Sequence, residues 1–138
     1  MSAENEAVVR RYFEEMCSDR KNELAPDLFT ADHVMHDPQV PCGVGPDAIA
    51  EVISAYQTNV EGHWAIEEIF SCDDRVTVRW TGSGKHVGEI NGIPATGREV
   101  RVDAISIHRM RDGKIAETWE VWDTLGFLQQ LGVVPAAG

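Results

Sequence analysis

The chain has 138 residues, with 23 acidic and 12 basic side chains and a formal charge of −11 at neutral pH. That length suits one domain, spanning 1–138, with a core large enough to need neither disulfides nor a structural metal. The acidic surplus and scattered basic residues would repel a phosphate backbone or an anionic membrane surface, so neither nucleic acid nor a membrane is expected as a partner. No apolar run is long enough to span a bilayer, and the start M-S-A-E-N-E-A-V-V-R-R lacks the apolar core of a signal peptide. Cys17, Cys42 and Cys72 lie far apart with no C-x-x-C spacing. Reduced thiols and a cytoplasmic location are therefore expected, and Cys42, with no evident base in its loop, reads as an ordinary small residue.

In chain order, Val8, Val9, Tyr12, Phe13 and Met16 recur at three- and four-residue steps and predict an amphipathic helix from Ala3 to about Ser18. A short second helix is expected around Glu23 to Phe29. Pro38, Pro41, Gly43 and Gly45 predict irregular chain from Thr30 to Gly45. Gly45-Pro46-Asp47 opens a third helix with proline at the first helical position, and Ile49, Val52, Ile53 and Tyr56 share one side of it. Beyond Gly62 the period changes to two: strands are expected at Trp64 to Phe70 and Arg75 to Gly82, with Lys85 to Ile90 extended and a turn at Pro94 and Gly97. Two long strands then form a hairpin over Asp112-Gly113, and Leu125 to Leu131 reads as a short terminal helix. Helices first and antiparallel strands afterwards argue for α+β, with helices packed on a strongly curved sheet that encloses a pocket.

The hairpin register decides which side chains share a face. A two-residue turn at Asp112-Gly113 would pair Arg111 with Lys114 and set Glu120 opposite Ile105. A type I turn with Gly113 left-handed as a bulge pairs Met110 with Lys114 and keeps parity across the hairpin. The second is preferred. It groups Val100, Val102, Ala104, Ser106, His108 and Met110 with Ala116, Thr118, Glu120 and Trp122, and puts Ile105, Ile107, Trp119 and Val121 on the other face with a charged fringe. The first face carries a single acid, Glu120, among small residues that leave volume for a ligand. The second is apolar in the centre and polar at the rim, like a sheet packed on a second subunit, so a homodimer or higher homo-oligomer is expected.

A carboxyl group ringed by apolar side chains such as Trp122 and Trp80 is desolvated, which raises its proton affinity into the range a general acid or base needs near neutral pH. Glu120 could then take a proton alpha to a carbonyl, or protonate an enolate oxygen, if a donor stabilises the charge. His36, in a loop beside Asp37, is the first candidate helper; His108, Ser106 and Thr118 lie on the pocket face, and His86 precedes a glycine-rich turn. No H-x-H or H-E-x-x-H set provides metal ligands, and no P-loop, G-x-G-x-x-G or G-x-S-x-G motif is present, so neither metal nor cofactor is expected.

K-H-V-G-E-I-N-G-I-P-A-T-G-R-E-V from Lys85 to Val100, R-M-R-D-G-K-I from Arg109 to Ile115, L-G-F-L-Q-Q-L-G from Leu125 to Gly132 and the H-D-P at His36 to Pro38 resemble the SnoaL-like polyketide cyclase family of the NTF2-like superfamily. The likeness runs almost end to end. It implies a cone-shaped α+β barrel and closure of a ring in an anthracycline precursor by intramolecular aldol condensation, without metal or organic cofactor. The family's acid/base aspartate falls at Glu120, its assisting histidine at Ser106, a glutamine at Ala104 and a polar loop residue near Met35 or His36. Of that set only the carboxylate is present here.

The leading expectation is thus a cofactor-independent lyase or isomerase for a hydrophobic carbonyl compound. Glu120 and His36 are its catalytic candidates, with Asp37, Trp80, Ala104, Ser106, His108, Thr118 and Trp122 against the substrate. The same cone without chemistry would be a small-molecule binding protein. Hydration, dehydration or hydrolysis by carboxylate-activated water would need a second acid or a His-Asp pair converging on Glu120, for which Asp37 is the near candidate.

Overall fold

The structure is a computed structural model and describes residues 2–135. Helix α1 (Ser2–Arg11) continues directly into a π-helical stretch, Tyr12–Ser18, so the amphipathic helix read from the sequence is one body whose second half is widened. Its apolar face buries Val9, Tyr12, Phe13, Met16 and Cys17. The carbonyl oxygens of Met16 and Cys17 accept hydrogen bonds from the Gln57 side-chain amide at 3.0 and 2.9 Å, and Gln57 and Asn22 exchange a reciprocal amide pair at 2.7 and 3.0 Å. A buried glutamine from another helix thus satisfies polar backbone that would otherwise be stranded in the core.

The expected second helix is split into a 3-10 turn, Asn22–Leu24, and α2 (Ala25–Leu28). Helix α3 (Pro46–Asn59) begins where its proline predicts. Gly45 before it has φ +93°, and a Cβ there would meet the Ala31 carbonyl oxygen at 2.8 Å, so glycine is required at this entry. The short terminal helix α4 (Thr124–Leu131) is capped by the Asp123 carboxylate, which accepts from the Gly126 amide at 2.9 Å.

Five strands, β1 (Phe29–His36), β2 (His63–Cys72), β3 (Arg75–Lys85), β4 (Glu99–Arg111) and β5 (Lys114–Trp122), form one sheet in the order β1-β5-β4-β3-β2. Its pairings are antiparallel except for β1, which lies parallel to β5. β1 corrects the expectation of irregular chain after Thr30. Its polar residues hide a strand because the sheet buries Phe29, His33 and Met35 and leaves Ala31 and Asp32 at the surface. Beyond Lys85, His86 to Gly97 is loop rather than extended strand. The sheet curves but stays open, with β1 and β2 as its edges.

The β4–β5 turn has Asp112 at φ 52° and Gly113 at φ 77°, the two left-handed residues of a two-residue hairpin, and Arg111 pairs with Lys114. This corrects the preferred type I turn. Parity is nevertheless kept beyond it: Met110 pairs with Ile115 but Arg109 with Glu117, so Ala116 is an extra residue on β5. Ile115 and Ala116 are consecutive and both buried, as such a bulge requires. Glu120 then faces Ser106, and the two faces are grouped as expected.

Beneath the sheet a buried polar chain runs from His33 Nε2 to Thr118 Oγ1 at 3.0 Å, on to His108 Nδ1 at 3.0 Å, and from His108 Nε2 to Ser106 Oγ at 2.9 Å. Burial lowers His33 to about 4; burial and the neighbouring His33 lower His108 to about 3. Both folded values lie below the ordinary 6.5, so the stability that depends on neutral histidines is complete above that pH and is lost as pH falls toward 4. Unfolding free energies measured between pH 7 and 4.5 should fall by about 1–3 kcal/mol per pH unit below 6.5, and His108→Gln should flatten that decline.

Candidate active site

The inner face of the sheet, the π-helical stretch and α3 enclose a cavity walled by Tyr12, Met35, Val40, Val52, Ile53, Tyr56, Trp64, Trp80, Val100, Val102, Trp122 and Phe127, with Glu120 as its acid. Counted out to its mouth, open solvent included, the space is about 670 Å³. Trp122 meets Tyr56 edge-on at 6.2 Å and Phe127 at 5.4 Å, which fixes that wall. Asn91 donates to the Tyr56 hydroxyl at 3.3 Å and ties the loop after β3 to α3.

Burial, first, and then the like charge and hydrogen bond of Asp37 push the Glu120 carboxyl up to about 8. Asp37 itself does not wall the cavity. Its Oδ1 accepts from the Gln39 and Val40 amides at 2.9 and 3.2 Å and closes the turn after β1, while Oδ2 is buried with no hydrogen-bond partner among the described residues. Alternation along β1 explains why this acid turns inward: His33 and Met35 are buried, His36 is exposed, and Asp37 follows on the inner side.

The same alternation removes His36 from the site. It lies on the outer face, where Nε2 is 2.7 Å from Glu117 and the ring stacks on Trp119 at 5.5 Å. Trp80 and Trp122 do wall the cavity beside Glu120. Ala104, Ser106, His108 and Thr118 share its face of the sheet but not its cavity, and three of the four are held in the buried polar chain. The volume that these small residues leave is filled by the protein itself: Tyr12 and Phe13 pack edge-on against His108 at 6.0 and 5.8 Å. His86 is buried and bonds Thr96, away from the acid. The sequence reading missed Tyr12, Tyr56 and Met35 as cavity wall. Tyr12 and Tyr56 were visible only as inward residues of helices, and Met35 belonged to a strand that was not foreseen.

A curved α+β sheet holding one desolvated acid in an aromatic cavity defines a class of small-molecule protein. The SnoaL-like polyketide cyclase family model matches residues 7–131, and the chain belongs to that family. It is 33% identical over 99 residues to the aklanonic acid methyl ester cyclase DnrD of Streptomyces peucetius, covering 70% of this chain and 66% of that protein. With the aklanonic acid methyl ester cyclase DauD of Streptomyces sp. (strain C5) it shares 36% over 101 residues, 70% of this chain and 60% of that protein. The matched stretch is thus under two thirds of either relative. TsrD from Streptomyces laurentii has the same fold, with a TM-score of 0.86 at 24% identity over 96% of this chain and 97% of that one. Among the described residues no three His, Cys, Asp or Glu stand together as metal donors, and no helix is long and apolar enough to cross a membrane.

The raised carboxyl has a thermodynamic consequence. Glu120 lies above its ordinary 4.5, so its contribution is least unfavourable below that value and worsens as pH rises toward 8, by about 1 kcal/mol per unit. Glu120→Gln should therefore have the higher denaturant midpoint at pH 8, with the difference vanishing near pH 4.5.

Proposed function

We propose that the protein closes a ring in a hydrophobic polyketide ester by intramolecular aldol addition, with Glu120 as the acid/base group. The observation that carries this reading is one carboxyl group held in an aromatic cavity, with burial and a neighbouring acid raising its proton affinity to about 8. A base of that strength is far better matched to a carbon acid beside a carbonyl than an ordinary carboxylate is. Ionised Glu120 takes the proton from the carbon between two activating groups, and the C–H electron pair becomes the enolate. The enolate carbon attacks a ketone carbon of the same molecule, the new C–C bond forms, and the carbonyl π pair moves to oxygen. Glu120 returns its proton to that oxygen, so no proton is consumed overall. The curated relatives named for aklanonic acid methyl ester supply the substrate to try first.

One observation favours a second reading, a binding protein without turnover. Ser106, at the position of the family's assisting histidine, is bonded to His108 and does not reach the cavity, so no side chain there replaces that donor. Glu120→Gln separates the two. Cyclisation of aklanonic acid methyl ester should fall roughly 10²- to 10⁴-fold with ligand affinity largely kept, and wild-type rate should rise with pH up to about 8, because the base must be ionised. A wild-type protein that binds the ester without converting it would establish the binding reading instead.

The outer face supports pairing with a second copy. Ile105, Ile107 and Val121 are 49, 39 and 59% exposed on one strand pair. Beside them Trp119 is covered by His36 and by Arg75, whose guanidinium lies 5.0 Å from its ring. Such a face is too apolar for a lone monomer surface. Sedimentation at micromolar concentration should give a dimer or a larger assembly, and Val121→Lys should shift it to monomer.

A further inference from the structure

The cyclisation chemistry assigns Glu120 a proton but says nothing of what keeps that proton in place between its removal from carbon and its return to oxygen. We infer that Asp37 is the proton partner of Glu120: the two carboxyl groups hold one proton between them, and Asp37 positions the Glu120 carboxyl and sets how strongly it takes up the substrate's proton. This rests on the reading of Glu120 as the acid/base group and extends it to a residue behind the cavity wall.

Three features carry the inference. Asp37 Oδ1 is committed to the Gln39 and Val40 amides, which fixes the carboxyl plane, and leaves Oδ2 buried with no hydrogen-bond partner among the described residues, while the parallel register that sets Met35 against Thr118 and His36 against Trp119 brings Asp37 alongside Glu120. A buried carboxylate oxygen without a donor is costly, and a protonated Glu120 is the donor that satisfies it. Second, the groups that face Glu120 from other elements are all acids. Tyr12 and Cys17 come from the π-helical stretch, Asp37 and Cys42 from the loop after β1, and Tyr56 from α3. Burial pushes the two phenols and two thiols up, so they are neutral at pH 7 and offer Glu120 no counter-charge. Third, two carboxyl groups side by side and out of water cannot both ionise cheaply, so one proton stays with the pair until a strong enough demand removes it. The reacting form is the pair without that proton, both carboxylates ionised, reached as pH rises toward 8; the proton taken from carbon then rests on Glu120 while its O–H donates to Asp37 Oδ2. When Glu120 rotates that O–H toward the new alkoxide, the proton is delivered and the pair returns to its starting charge.

The test is carboxyl ¹³C NMR titration of the full chain, wild type and Asp37→Asn. Asparagine keeps the Oδ1 acceptor for both amides, so the turn is retained, while the charge and acceptor facing Glu120 are lost. The Glu120 midpoint should fall by about one unit or more in the variant. The wild type provides a readout that needs no substitution: in a shared-proton pair the Asp37 signal inflects at the Glu120 midpoint. An unchanged Glu120 midpoint in the variant, or an Asp37 signal without that inflection, would overturn the inference. In turnover, the pH at which cyclisation reaches its maximum should move down with the NMR midpoint, with kcat reduced and KM little changed. A merely structural role for Asp37 would leave that pH in place, which also overturns the inference. If both signals titrate together but the wild type converts no polyketide ester, the pair stands and the cyclase reading fails.

Discussion

The site depends on one irregularity in the sheet, the extra residue at Ala116. A two-residue hairpin turn reverses parity between its strands, so without the bulge Glu120 would share a face with Ile105 and Ile107 and would point into solvent. With it, Ala104, Ser106, His108, Thr118, Glu120 and Trp122 all face the helices, and the isoleucines face outward. The whole division between an interior built for a ligand and an exterior suited to a second copy follows from the pairing of Arg109 with Glu117 after Met110 with Ile115. The bulge also bends the strands where the sheet must curve over α3 and the π-helical stretch.

The inward face is then divided again. Its half nearest the turn is filled by protein, because Tyr12, Phe13 and Phe29 pack onto His33 and His108 around the Ser106-His108-Thr118-His33 polar chain. The other half, from Glu120 toward Val100 and Val102, stays open between Trp64, Trp80 and Trp122. Glu120 sits at this boundary, which gives it protein on one side and substrate space on the other. Both halves cost stability in opposite pH directions. Buried neutral histidines are lost to acid, and a buried protonated glutamate is lost to base. Groups held this far from their ordinary proton affinity concentrate at functional sites, where the cost of burial is repaid in reactivity.

Much of the architecture was legible from periodicity. The three- and four-residue spacing of Val9, Tyr12, Phe13 and Met16, the proline at the start of α3 and the alternation from Val76 to Trp80 each have a local cause, and each produced the expected element. β1 was not legible. A parallel edge strand carrying Asp32, His33 and His36 reads as loop until β5 is beside it to accept its hydrogen bonds and a core is behind it to take Phe29 and Met35. The outer position of His36 follows directly, since in a loop any residue can turn inward but in a strand only every second one can.

The sequence by itself determined which residues share a face with Glu120 along β5, because side-chain alternation in a strand is a local property; that this face is the concave one rested on the bulge at Ala116. Only the tertiary structure decided which inward residues meet ligand space and which meet the protein's own aromatics. It also decided that Asp37, 83 residues away along the chain, turns to the Glu120 side of the sheet while His36 turns to the other. Those outcomes turn on what packs against a face, and that is set by distant segments whose approach no local pattern encodes.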